Sequence, residues 1–114
     1  MGCAFGRQTA LSDIAILHAT FANAEEAQRI GRSMVEERLA ACVNLLGPCA
    51  SIYRWNDGIE TATEHRALFK TTPELARELA DRIAALHSYD LPAIEIWPAA
   101  AGDAVAQWVD TSTR

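Results

Sequence analysis

Three observations predict an α+β chain whose elements run strand, helix, strand, strand, helix, strand. A capped amphipathic helix follows a first apolar run. Two strand-like runs then meet at a Gly-containing turn, and a Pro-headed second helix leads into a last strand.

Ser12 to Thr20, with Ile14, Ile16 and Leu17, reads as a first and central strand. Asn23 caps the helix after it, and Glu26 three residues on completes a capping-box pattern. Ala27, Ile30, Met34 and Val35 form its buried stripe, with Leu39 near the end, while Glu25, Arg29, Arg32 and Glu36 face water. The middle of the chain runs from Leu39-Ala40-Ala41-Cys42-Val43-Asn44 to Ser51-Ile52-Tyr53-Arg54-Trp55. It turns at Asn56-Asp57-Gly58 and returns through Glu64 to Phe69-Lys70-Thr71-Thr72, a long antiparallel hairpin. Thr72-Pro73 opens a second helix that buries Leu75, Leu79, Ile83 and Leu86. Ile94 to Trp97 reads as a fourth strand closed by Pro98, and Gly102-Asp103 caps a short helix carrying Val105, Trp108 and Val109. The order βαββαβ is that of the ferredoxin-like sandwich, in which two helices cover one face of an antiparallel sheet. Two helices cannot cover so long an arm, so the other sheet face and the arm are expected to dock on further copies of the chain.

At 114 residues the chain fits one domain, with residues 1–11 expected as a flexible extension and 12–114 as the folded unit. Net charge is −5 without a basic stripe, which argues against nucleic-acid binding. No apolar run reaches the roughly 20 residues that span a bilayer. The start lacks an apolar core of signal-peptide length, and Gly6 stands where a myristoylation motif wants Ser or Thr. Cys3, Cys42 and Cys49 are odd in number with no C-x-x-C spacing, which points to a reduced, cytoplasmic setting.

Several side chains could carry chemistry. Cys42, between Ala41 and Val43, reads as a small buried hydrophobe or as a soft copper ligand. Cys49, beside Pro48 in a bend, could join such a site. His18 and His65 read as surface or interface side chains. His87 ends a helix, where it could cap, bind metal or move protons. Glu64 and Lys70 share a sheet face by their even separation, as do Tyr53 and Trp55. A two-residue turn at Asp57-Gly58 would set Tyr53 opposite Ala62 and Ser51 opposite Glu64, gathering Ser51, Tyr53, Trp55 and Glu64 on one side. Such a patch serves either as trimer-knitting anchors or as a binding pocket at a subunit edge.

From about Ile14 to Trp108 these residues resemble the CutA family, small proteins named for divalent-cation tolerance. The resemblance rests on Leu39 to Asn44, then Ser51, Tyr53, Trp55, Glu64 and Lys70-Thr71, then His87, Tyr89, Pro92 and Trp108, all in family order. It implies a ferredoxin-like protomer in a tight homotrimer with PII-like architecture, with pockets between subunits. It also implies divalent-metal tolerance, with copper binding proposed for the family and no established enzymatic reaction. Cys42, Cys49 and His87 are then the candidate metal residues, and Ser51, Tyr53, Trp55, Glu64, Lys70, Tyr89 and Trp108 the candidate pocket or interface residues. Ala19 and Leu86 stand at two of the three copper-ligand positions of bacterial relatives, so only His87 of that set is kept. Gly58 is displaced by one place from the family's hairpin Gly, and Val105 replaces a usual Tyr.

The leading expectation is therefore a homotrimeric binding protein for divalent metal, copper foremost, that needs no cofactor. Its partners are copies of itself and metal ions, not nucleic acid or membrane. The alternative is a PII-like signalling module holding a metabolite or nucleotide between subunits, although no P-loop motif is present. A small enzyme using Glu64, Lys70, Tyr89 or His87 as acid or base ranks last, because no spacing specifies a reaction.

Overall fold

The structure, a computed structural model, describes residues 10–114. It contains β1 (Leu11–Phe21), α1 (Ala24–Glu36), β2 (Cys42–Trp55), β3 (Gly58–Thr71), α2 (Ala76–Leu86), β4 (Ile94–Gly102) and α3 (Asp103–Ser112). The expected extension over 1–11 lies outside the described residues except for its last two. Of those, Leu11 already pairs with Gly102 in the sheet. The four strands are all antiparallel, in the order β2-β3-β1-β4.

Alternation along β1 sorts the core into two layers. Leu17, Ala19 and Phe21 point to α1 and α2, where they meet Ile30, Met34, Leu79 and Ile83. Ile14 and Ile16 point the other way and pack with Ala41 and Val109. The third helix therefore covers one end of the face that was expected to lie open. Val35 also departs from expectation: the α1 stripe turns away from the core there and leaves it exposed. Pro98 does not close β4. It pairs with Ala15 in an edge strand, where a missing N–H is tolerated.

Helix α1 is bracketed by two local motifs. At its start the Asn23 side chain accepts from Glu26 N–H at 2.8 Å, and the Glu26 carboxylate reaches back to Ala22 N–H at 3.1 Å. The return contact thus falls one residue earlier than a capping box would place it. At its end Leu39 N–H bonds Met34 C=O and Arg38 N–H bonds Val35 C=O, a Schellman closure. Arg38 takes the left-handed position (φ 61°) that usually goes to Gly. Its guanidinium donates to Thr111 C=O at 2.8 Å and so pins the C-terminal segment.

The hairpin is one continuous ribbon of 14 residues per strand. It turns at Asn56-Asp57, with Trp55 paired to Gly58, rather than at Asp57-Gly58 as expected. Both turn residues have positive φ (50° and 65°), the type I′ geometry that matches the twist of the strands. Asn and Asp tolerate that region, which frees Gly58 to serve in the strand. All pairings consequently move by two: Tyr53 lies opposite Glu60, Ser51 opposite Ala62, and Cys49 opposite Glu64. A bulge between Leu45 and Gly47 (φ 85°) adds one residue to β2. Cys49 and Pro48 therefore sit in a bulged strand and not in a bend.

Beyond Phe21 and Phe69 the ribbon outruns the helices. The radius of gyration is 16.3 Å, against about 13 Å for a compact chain of this length. Ile52 and Ile59 near the tip are 73% and 62% exposed. Among the described residues no helix is long and apolar enough to cross a membrane.

Glu26 is buried yet charged. Burial alone would raise its pKa, but hydrogen bonds from Ser88 and from Ala22 N–H outweigh it and hold the value below 4.5. A depressed folded-state pKa gives stability that is complete above the unfolded value and lost as pH falls through the folded one. Glu26→Gln should therefore cost about 2 kcal/mol at neutral pH. In urea denaturation at fixed protein concentration, the gap to the parent should close as pH drops below 4.5; a constant gap would refute the assignment.

Candidate functional site

Past the end of β1, the arm and the 88–93 segment enclose a cleft of about 450 Å³. Strand β2 contributes Ser51, Tyr53 and Trp55 to it, and β3 contributes Glu60 and Glu64. Thr20 forms its floor at the end of β1, and Tyr89, Asp90 and Leu91 form the opposite wall.

That wall is held by His87. Helix α2 ends at Leu86, and the backbone of His87 turns extended, which aims its ring across Phe21 (centroids 4.9 Å apart, planes 14° apart). The Thr20 carbonyl can only accept, so Nε2 carries the proton and donates to it at 2.7 Å. Nδ1 accepts Tyr89 N–H at 3.0 Å. The ring is thus neutral, with both nitrogens engaged. Ser88 N–H bonds the Glu26 carboxylate at 2.8 Å and ties the same segment to α1. Tyr89 packs on the His87 ring (centroids 4.7 Å) and donates its hydroxyl to Glu64 at 3.1 Å.

The electrostatics of the cleft are acidic. Burial, then the bond to Glu64, pushes the Tyr89 phenol up to about 12. Desolvation, then Glu60, raises the Tyr53 phenol, which donates to Glu60 at 3.3 Å. Both phenols therefore stay protonated at neutral pH and serve as hydrogen-bond donors to carboxylates.

Of the residues singled out in the sequence, Ser51, Tyr53, Trp55, Glu64 and Tyr89 come together here. Lys70 shares the sheet face of Glu64 but sits six residues away, roughly 20 Å along the strand. Trp108 stands half exposed on α3, remote from the cleft. Glu60 was not singled out in the sequence, although its even separation from Glu64 puts it on the same face in either register; with Asn56-Asp57 as the turn it falls opposite Tyr53. Asp90 and Leu91 carry no sequence signal, since only the His87 anchor brings them to the arm.

The three metal candidates do not converge in one protomer. Cys42 pairs with Lys70 and Cys49 with Glu64, again roughly 20 Å apart, and His87 lies behind the cleft wall. Cys49 has Ser51 Oγ 3.7 Å from its sulfur. Among the described residues no three His, Cys, Asp or Glu side chains are grouped as a metal ion would require. His18 donates Nδ1–H to Glu95 at 2.9 Å and accepts Arg66 Nε–H at 3.0 Å, so its ring nitrogens are engaged as well. The His65 ring has its Nδ1 buried and without a hydrogen-bond partner among the described residues.

Removing the His87 ring should release the wall. His87→Ala is expected to cost about 3 kcal/mol, from two lost hydrogen bonds and the stacking on Phe21. Spectrophotometric titration should then find Tyr89 ionising well below about 12; an unmoved Tyr89 would show that the wall stands without His87.

Comparison with known proteins places this geometry. The family described as CutA1 divalent ion tolerance protein matches residues 15–112. Protein CutA, chloroplastic, from Arabidopsis thaliana is 32% identical over 100 residues, which cover 87% of this chain and 55% of that protein. The chain thus spans about half the length of such plant relatives. The divalent-cation tolerance protein CutA of Archaeoglobus fulgidus is 38% identical over 99 residues, covering 86% of this chain and 96% of that one. Among solved structures, CutA from Synechococcus elongatus superposes with a TM-score of 0.87 at 32% identity, covering 94% of this chain and 96% of that chain. A family match over residues 15–112, with the same four-stranded α+β architecture, leads to one conclusion: the chain belongs to the CutA family.

Proposed function

We propose that this protein is a homotrimeric divalent-cation tolerance protein that acts by binding rather than by catalysis. The observation that carries this reading is the arm. Its apolar side chains extend past every helix that could cover them, and an exposed ribbon of that length stays soluble by docking on further copies. Three copies arranged in the PII manner would place the cleft at a subunit boundary. Tyr89, with its hydroxyl held to about 12, is poorly matched to acid–base work at neutral pH, which favours binding over catalysis.

Copper, or another divalent metal, enters through the family's name and the thiols of Cys42 and Cys49. Because one protomer keeps those thiols apart, a copper ion would draw ligands from more than one copy. A cytoplasmic setting accords with the free thiols of Cys42 and Cys49. A second reading, a PII-like module holding a metabolite between copies, is favoured by the cleft itself. Thermal-shift profiling against metals and metabolites separates the two; shifts with metals alone remove the second.

Two measurements test the proposal. Sedimentation equilibrium should give three times the 12.4 kDa protomer mass, and Ile52→Glu with Ile59→Glu should weaken association at least tenfold, about 1.4 kcal/mol. A stable monomer at micromolar concentration would reject the assembly. In copper titration, the Cys42→Ala, Cys49→Ala double variant should lose bound copper, whereas His87→Ala should keep it. The reverse pattern would make His87 a ligand.

A further inference from the structure

We propose that the cleft between the outer half of the arm and the 88–93 segment binds a small organic cation carrying an ammonium group. The inference deepens the reading of this protein as a binder by naming the ligand class of its cleft.

Charge comes first. Three carboxylates line the cleft, Glu60, Glu64 and Asp90, and among the described residues of one protomer no Lys, Arg or His lines it. The nearest cation along β3, Arg66, donates its Nε–H to His18 instead. From the protomer that builds the cleft an anionic ligand would meet like charge, and a neutral one would leave the carboxylates uncompensated.

Shape and surface narrow the class further. Tyr53, Trp55 and Tyr89 supply the aromatic surface, and aromatic faces attract cations through the ring quadrupole. A volume of about 450 Å³ suits a small organic molecule and far exceeds one bare ion. A bare divalent ion also lacks the convergent ligand set it needs, since no such group of three exists among the described residues.

The acidic groups are also preorganised. Tyr89 donates to Glu64 and Tyr53 donates to Glu60, so each carboxylate is oriented through one oxygen. Its other oxygen has no protein partner among the described residues and can accept from an N–H or face a quaternary nitrogen. With their own ionisation suppressed, the phenols act as neutral hydrogen-bond donors to these carboxylates. The cleft therefore offers fixed negative charge beside π-faces, the two components of ammonium recognition.

Isothermal titration calorimetry at constant ionic strength tests this on the protein in its native assembly. Choline is compared with its uncharged isostere 3,3-dimethylbutan-1-ol, and butylammonium with butan-1-ol. At least one cation should bind ten times more tightly than its neutral counterpart. Glu64→Gln, which retains an acceptor for Tyr89, should weaken that cation at least tenfold, and the exposed Glu60→Gln gives an independent check with less risk to folding. Trp55→Leu should abolish the fluorescence change on binding. Equal affinity for cation and isostere, or no binding of either cation at roughly 10 mM, well beyond a weak millimolar affinity, overturns the proposal. Sedimentation of the same samples keeps the two readings apart. A trimer without ammonium preference overturns only the ligand class, and a monomer with it overturns only the assembly.

Discussion

A slip of one residue between the two long strands would turn every side chain of the arm to the wrong face. The register of this ribbon is the constraint on which the cleft depends, and two local devices hold it. At the tip, Asn56 and Asp57 take up the left-handed backbone of a type I′ turn, which locks Trp55 against Gly58. Near the base, Leu46 is the extra residue of a bulge whose partner, Gly47, supplies the positive φ. Between those points the ladder is uninterrupted, so Cys49, Ser51, Tyr53 and Trp55 face the same way as Glu60 and Glu64. Addition of a Cβ at Gly47 would meet open space, yet its backbone angle would still strain any other residue.

Register places half of the cleft; the other half depends on a contact between layers. His87 closes α2 and, through Phe21 and the Thr20 carbonyl, fixes the following segment to the end of β1. Glu26 fixes that segment a second time from α1, while it also serves its own helix start. One buried carboxylate and one neutral imidazole thus couple both helices to the arm through Ser88 and Tyr89. Tyr89 is where the two halves meet, because its hydroxyl reaches Glu64 on β3. Elsewhere the helical layer meets the ribbon through Val43, Ala67 and Phe69, at the ribbon's base, so this polar joint is the link from the helices to the cleft-lining part of the arm.

How much of this was legible in the sequence depended on whether a feature is local. The helices and the hairpin follow from periodicity and turn chemistry and are all present, but the second helix begins at Ala76 rather than at Thr72-Pro73, and its N-cap, Leu75, makes no side-chain hydrogen bond. The facing of Ser51, Tyr53, Trp55 and Glu64 was legible although their pairing was displaced by two, because a shift of two residues preserves side-chain parity. The bulge was not legible. It changes parity, so Cys42 and Cys49 share a face despite their odd separation, and alternation alone would have divided them. Lys70 could be assigned to the face of Glu64, but a face is not a distance. Asp90, Leu91 and the placement of α3 across Ile14 and Ile16 arise from tertiary contacts that no local pattern encodes.

The arm carries two opposing demands on one ribbon. Its exposed apolar side chains favour docking of copies, whereas Glu60 and Glu64 on β3, with Asp90 across the cleft, gather negative charge on a chain whose net charge is already −5. If copies dock along the arm as proposed, those carboxylates approach a neighbour and lose water, which raises the cost of keeping them ionised. Protonation or a bound cation relieves that cost. A cation in the cleft would then favour assembly, and by linkage assembly would favour the cation to the same degree. On this view cation binding and self-association are two sides of one equilibrium, set by the electrostatics of a single strand pair.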